Sequence, residues 1–389
     1  MRHTWMLVVL VSLLGAAGCG ADDVKVSTSA QLRAALGDAT AGTRILLAPG
    51  EYEGGMWVRD IDGDPDRPIV IAGADPDDPP HIVGGANSFH LANVSYIELR
   101  DLTVSGCTSN GINIDDGGSF ETPAHHITIA NVSVDDVGPS GNRDGIKISG
   151  VDEFRIENCT ITRWGDGGSA IDMVGCHKGV IEGCFFQGRD GTGGTGVQCK
   201  GGTTEIVVRK NLFEAAGGRA INIGGSTGLQ FFRPKVDGYE AKDITVEGNV
   251  FVGGMAPLAF VGVDGALVRQ NTIYIPDKWA LRILQETREP GFVPSRNGVM
   301  EDNIIVFRSD QWSEGGCNIG SGTAPETFRF EGNVWYCVDR SERSRPALPS
   351  DEVDGVYGED PMMVDPENGE YELQEGSPAE GKGHTAVGE

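Results

Sequence analysis

Along most of this chain, apolar residues occupy every second position in short runs, and the runs return at a nearly constant interval. One set reads GINIDD (111–116), GIKISG (145–150), AIDMVG (170–175), GVQCKG (196–201), AINIGG (220–225), PLAFVG (257–262), ALRILQ (280–285) and GCNIGS (316–321). A second set follows it: FRIENCTI, GVIEGCFF, IVVRKNLF, ITVEGNVF, ALVRQNTI, GVMEDNII and FRFEGNVW. Alternation with period two marks strands that bury one face. Several spacings lie between 22 and 27 residues, and the longer ones contain insertions. A unit this short cannot bury a core alone, so the pattern predicts an all-β solenoid in which each coil stacks on the next.

The alignment also sorts side chains into columns. Cys159, Cys184, Asn211, Asn249, Asn271, Asn303 and Asn333 share one column of the second set. Asparagines in register at a turn predict a ladder, each side chain bonding the next rung, with the two cysteines facing the core. In GIKI the isoleucines face in, so Lys147 faces out. Its column collects Asn113, Lys147, Asp172, Gln198, Asn222, Ala259, Arg282 and Asn318. Two residues earlier stand only compact residues: Gly111, Gly145, Ala170, Gly196, Ala220, Pro257, Ala280 and Gly316. Read as outward, they predict a shallow trough beside a polar ridge. Rungs about 4.8 Å apart suit an extended polymer chain, although a merely solvated face would also be polar.

Lys200 belongs to the next outward column, with Asp115, Ser149, Val174, Gly224, Val261 and Leu284. Three insertions leave just after this strand: DGGSFETPAHH near 116–126, STGLQFFRPKVDGYEAK at 226–242 and ETREPGFVPSR at 286–296. Insertions gathered on one edge of a solenoid build a binding wall. They direct His125, His126, Phe231, Phe232, Arg233, Lys235, Glu286, Arg288 and Phe292 towards Lys200.

The ends differ from the repeats. Thr28 and Gln31 fit a capping box, Leu32, Ala35 and Leu36 share one helix face, and Gly37 suits the stop. This predicts a short N-terminal helix covering the first rung. Ahead of it, MRHTWMLVVLVSLLGAAGCG has a basic start and an apolar run from Trp5 to Leu14, too short for a permanent membrane span. LGAAGC resembles a bacterial lipoprotein signal, with alanine where leucine commonly stands, and implies lipidation of Cys19 and export.

The helix, the rungs and the closing segment GVYGEDPMMVDPENGEYELQEGSPAEGKG together resemble the pectate-lyase-like superfamily. The resemblance implies a single-stranded right-handed parallel β-helix with a short N-terminal capping helix. The expected organisation is a lipoprotein-type signal peptide at 1–18, a linker at 19–26 from the lipidated Cys19, the β-helix at 27–340 and a C-terminal closing segment at 341–389. A monomer is expected, meeting a membrane only through the lipid anchor.

Composition narrows the chemistry. The formal net charge of −26 excludes the basic footprint that nucleic-acid binding needs. It repels anionic polymers at long range, but salt screens this beyond about 8–10 Å, so a local basic groove can still hold an acidic sugar. The 58 glycines fit many turns. Seven cysteines follow Cys19, an odd number that forbids complete internal pairing; stacked buried thiols and disulfides both stay open.

Three functions remain. VQCKGG resembles the lysine strand of the chondroitinase B and alginate lyase family. That resemblance implies β-elimination on a uronate-containing polysaccharide, with Lys200 as base. The family's arginine position holds Gly224 here, and its calcium-binding glutamates are replaced by Gly193 and Thr195. Arg233 or Arg282 would then neutralise the substrate carboxylate. Lys147, Asp172, Gln198, Asn222, His126, Phe232 and Arg288 are the candidate substrate-binding residues. The second function is hydrolysis by two carboxylates, centred on Asp172 with Asp115, Asp116 or Asp144. The third is a non-catalytic glycan-binding scaffold. No Cys/His spacing suggests zinc, and no definite cofactor is indicated; calcium through Asp115, Asp116 or the acidic turns stays open.

Overall fold

The computed structural model describes residues 23–189 and 193–384. The signal peptide and Cys19 lie outside the described residues. Two large sheets, one of 23 strands and one of ten, are built from parallel neighbours and wrap a single apolar core that runs from Val26 to Cys337. Each coil contributes one strand to the ten-stranded sheet and further strands to the larger one. Ile146–Ser149, for example, is followed by Val151–Glu157 and Thr160–Thr162.

The ten-stranded sheet carries the candidate site. Its strands are β1 (Met56–Arg59), β2 (Phe89–Ala92), β3 (Ile112–Asp115), β4 (Ile146–Ser149), β5 (Ser169–Val174), β6 (Thr195–Lys200), β7 (Arg219–Gly224), β8 (Leu258–Val261), β9 (Leu281–Leu284) and β10 (Cys317–Ile319). They stack in chain order. Asn113, Lys147, Asp172, Gln198, Asn222, Ala259, Arg282 and Asn318 are in register, as the alternation predicts.

The compact column is not outward. Ala170 and Ala280 are fully buried, and a Cβ added at Gly145 would lie 2.6 Å from the Ile161 side chain. These residues sit at the corner before each strand, where the chain bends into the core and only small residues fit. The groove floor is therefore made elsewhere.

The asparagine ladder is present. The residue before each member is left-handed: Asn158, Gly183, Lys210, Gly248, Gln270, Asp302 and Gly332 have φ between 51 and 65°. That turn points the next side chain inward. Asn249 Oδ1 accepts the Asn211 backbone N–H at 3.0 Å and its amide at 2.9 Å, and the pattern repeats through Asn271, Asn303 and Asn333. The last donor, Asn333 Nδ2, reaches Glu352 Oε1 at 2.7 Å. Glu352 Oε2 also accepts from Trp335 Nε1 and the Tyr357 hydroxyl.

At the N-terminus α1 (Ser29–Gly37) buries Leu32, Ala35 and Leu36, and Thr28 caps it through the Gln31 N–H. Residues 23–26, expected within a linker, form a strand paired with Arg44–Leu47. Rung pairing likewise continues past 340, through Glu352–Val353 and Val356–Tyr357. The closing segment then folds back, packing Met363, Tyr371 and Ala379 on Val250, Ile304, Val306 and Val334. The seven cysteines of the described residues are all buried free thiols. Among the described residues no helix is long and apolar enough to cross a membrane.

Candidate functional site

Two adjoining clefts form one groove over β4–β9. One, of about 430 Å³, lies between Lys147, Ser149, Val174 and Lys200 on the strands and Ser226, Thr227, Gly228, Phe231 and Arg233 on the insertion. The other, of about 450 Å³, is lined by Gln198, Lys200, Arg219, Asn222, Arg282 and Glu286. Asn142, Lys200 and Ser226 line both. Lys200 thus stands at their junction.

Beneath the groove lies a compact charge cluster. Asp172 is fully buried between two lysines: Lys147 Nζ bonds its Oδ2, and Lys200 Nζ stands 3.1 Å from its Oδ1 as an ion pair rather than an aligned hydrogen bond. Asp172 is therefore the counterion of both lysines, not a substrate contact. The outward column buries it because long side chains from the strands on either side close over it. Lys200 Nζ also bonds Gln198 Oε1 at 3.3 Å.

Asp144, on the other flank of Lys147, is 2% exposed and accepts the Ser169 N–H at 2.8 Å. Burial and the nearby Asp172 charge push its carboxyl up to about 7. Asp172 is moved the opposite way: burial opposes its ionisation, but Lys147 and Lys200 outweigh this and hold it below the usual carboxylate range. For Lys147, burial favours the neutral amine, yet Asp172 and Asp144 prevail and raise it. Lys147 is thus a fixed cation. With Asp144 protonated, two lysines share one carboxylate charge.

The other end of the groove carries two arginines. Arg219 bonds Asn222 Oδ1 at 3.1 Å and Glu286 at 2.7 Å. Arg282 bonds Asn318 and lies over the Trp279 ring. Burial, and then the Arg219 guanidinium, push the Arg282 pKa down. An arginine whose charge is opposed by burial and by a neighbouring guanidinium is a ready seat for an anion. Buried Asn222 orients Arg219 from below.

The wall is held by one carboxylate. Glu240, fully buried, accepts from the Gly201 N–H, the Thr227 N–H and hydroxyl, and the Thr287 hydroxyl. It ties both long insertions to the end of β6.

Three expected substrate contacts lie elsewhere. His126 stacks on Tyr96 and pairs with Glu153 at 2.8 Å on the larger sheet, where its strand follows the insertion round the corner. Phe232 is buried against Phe292, and its exposed neighbour Phe231 faces the cleft instead. Arg288 is turned to the Gln285 carbonyl and Ser321, outside the lining of both clefts. Arg233 does reach the groove, but its Nε is 2.5 Å from the buried Asp116 and its guanidinium covers Phe120. It fastens the first insertion to the second and is not a free neutraliser. Asp115 is engaged by His90 and Asn113. With both acidic turns so occupied, calcium has no ready ligand set, and among the described residues no three acidic, histidine or cysteine groups converge.

Arg219 and Asn142 escaped the sequence reading because they precede the aligned strands. A signal existed: Arg219 is in register with Thr195, which is in register with Ser169, one residue ahead of the compact column.

Residues 87–273 match the family model described as right handed beta helix region. The chain is a right-handed parallel β-helix. No curated protein matches it by sequence. Among solved structures, an alginate lyase from Paenibacillus sp. str. FPU-7 shares 18% identity over 78% of this β-helix and 99% of its own chain, with TM-score 0.56. A pectate lyase, Pel9A, shares 13% over 79% of each chain, with TM-score 0.53. A GH136 lacto-N-biosidase from Eubacterium ramulus shares 14%, with TM-score 0.57; 85% of this chain aligns, spanning 64% of that one. At these identities the likeness is one of fold.

Proposed function

We propose that this β-helix cleaves a uronate-containing polysaccharide by β-elimination in the groove over β4–β9. The observation that carries the reading is the row Lys147, Lys200, Arg219 and Arg282 lining one continuous groove on a protein of net charge −26. From Lys147 on β4 to Arg282 on β9 is five rung spacings, about 24 Å. Such a row suits a chain with a carboxylate on successive sugars. The alginate and pectate lyases of the same fold act on polymers of this kind by their names.

In this reading Lys147, kept charged by Asp172, faces the carboxylate of the reacting sugar. Lys200, after giving its own ammonium proton to water, takes the proton at C5. The released electron pair forms the C4–C5 double bond, the C4–O bond breaks, and the departing oxygen takes a proton from the lysinium or from water. Arg219 and Arg282 hold carboxylates further along. Incubation with alginate and polygalacturonate is expected to give unsaturated, ultraviolet-absorbing ends. Absence of that absorbance across a panel of uronate polymers would overturn the reading.

New reducing ends without unsaturation would select hydrolysis instead. Export and tethering through Cys19 complete the proposal, since such polymers lie outside the cell. A Cys19→Ser variant is expected to leave the membrane fraction for the soluble one.

A further inference from the structure

The polar ridge does not stop at Lys147. Its register continues through Asn113 on β3 and His90 on β2 to Trp57 on β1. Trp57 is 61% exposed, the most exposed large hydrophobic side chain among the described residues. Its indole is fixed rather than loose. The His90 ring meets it edge-on at 4.1 Å and 75°. His90 Nε2 is 2.6 Å from Asp115 Oδ2, which also accepts from Asn113 Nδ2 at 3.0 Å. Asp115 Oδ1 takes the Gly117 N–H at 2.9 Å. His90 Nδ1 has no partner among the described residues.

An exposed, braced indole flanked by polar groups matches the two sides of a pyranose ring. The C–H face of the sugar packs on the aromatic face, and its hydroxyls bond at the ring edge. We propose that Trp57, with His90 and Asp115 beside it, is a distal subsite that stacks one sugar of the polysaccharide held in the groove. The inference rests on the groove being a polysaccharide site. It names where a long substrate is gripped rather than cut. Trp57 is five rung spacings from Lys200, about 24 Å, so only oligosaccharides of roughly five or more units reach both.

The test titrates the full chain and a Trp57→Ala variant with trimers and octamers from alginate and from polygalacturonate, by calorimetry. The octamer of whichever polymer binds is expected to weaken roughly three- to tenfold, the trimer to be unchanged, and Trp57→Phe to restore most of the loss. Thermal unfolding at the wild-type temperature shows that Trp57→Ala is folded. Equal affinity of the variant and the wild type for the octamer overturns the subsite, as does an equal loss for trimer and octamer. Trp57-dependent octamer binding without unsaturated product would sustain the subsite while removing the elimination reading. Product formation without Trp57 dependence would do the reverse. Failure of either octamer to bind the wild type overturns the subsite.

Discussion

Two columns of this solenoid repeat with the same spacing and have opposite characters. The ladder from Asn211 to Asn333 places the same residue on each rung, buried, with every amide answered by the next. The ridge from Trp57 to Asn318 changes residue at nearly every rung and is held together by charge. Uniformity satisfies the backbone and leaves nothing to bind. Variation leaves charges only partly answered: two lysines on one ionised aspartate, and two arginines lining one cleft with Glu286. In a repeat fold, the column that breaks its own pattern is the one to examine for chemistry.

The contrast can be broken in graded steps. Lys200→Ala is expected to lower the elimination rate by roughly 10²–10⁴-fold, the contribution typical of a positioned base, with some loss of thermal stability because Asp172 loses one of its two counterions. Full activity in that variant would remove Lys200 from the chemistry. Asp172→Ala leaves two buried ammonium groups without their main anion and should cost about 3–5 kcal/mol in denaturant unfolding, along with activity. Asn271→Ala strands the Asn249 amide and N–H; it should cost about 1–3 kcal/mol yet leave kcat/KM unchanged. A matching loss of activity there would show that the two columns are not independent.

The last effect is spread over pH as a slope. Asp144 titrates near 7 in the fold and near 3.8 when unfolded, so the native state binds the extra proton between those values. Stability should decline as pH rises through that window, by at most about 1.4 kcal/mol per pH unit, and level off above it. Asp144→Asn should flatten the decline. Asp172 works in the other direction: its contribution is present above 3.8 and is lost as pH falls below it.

Sequence alone revealed the strand columns, the capping helix and the ladder, because period two and rung spacing are both local signals. It also located Lys200, Gln198, Arg282 and the insertion at 226–242. It misjudged the corners, where backbone direction rather than alternation decides that Gly145 and Ala170 face inward. It chose Phe232 over Phe231 because neighbours in an insertion have no period to separate them. It placed Asp172 in solvent because alternation cannot register that lysines on the preceding and the following strand close over it. Trp57 and His90 went unaligned because the repeat was read only past residue 100, although Gly55 gives GMWV the same start as GINI.

The ladder also has a direction. Each asparagine receives hydrogen from the rung before and hands its own amide hydrogen to the rung after, until Glu352, which only accepts. A chain leaving the ribosome therefore always carries one outstanding donor at its growing edge. That debt moves forward rung by rung and is discharged only when Glu352 arrives. A stop before residue 352 would leave the queue without its final acceptor.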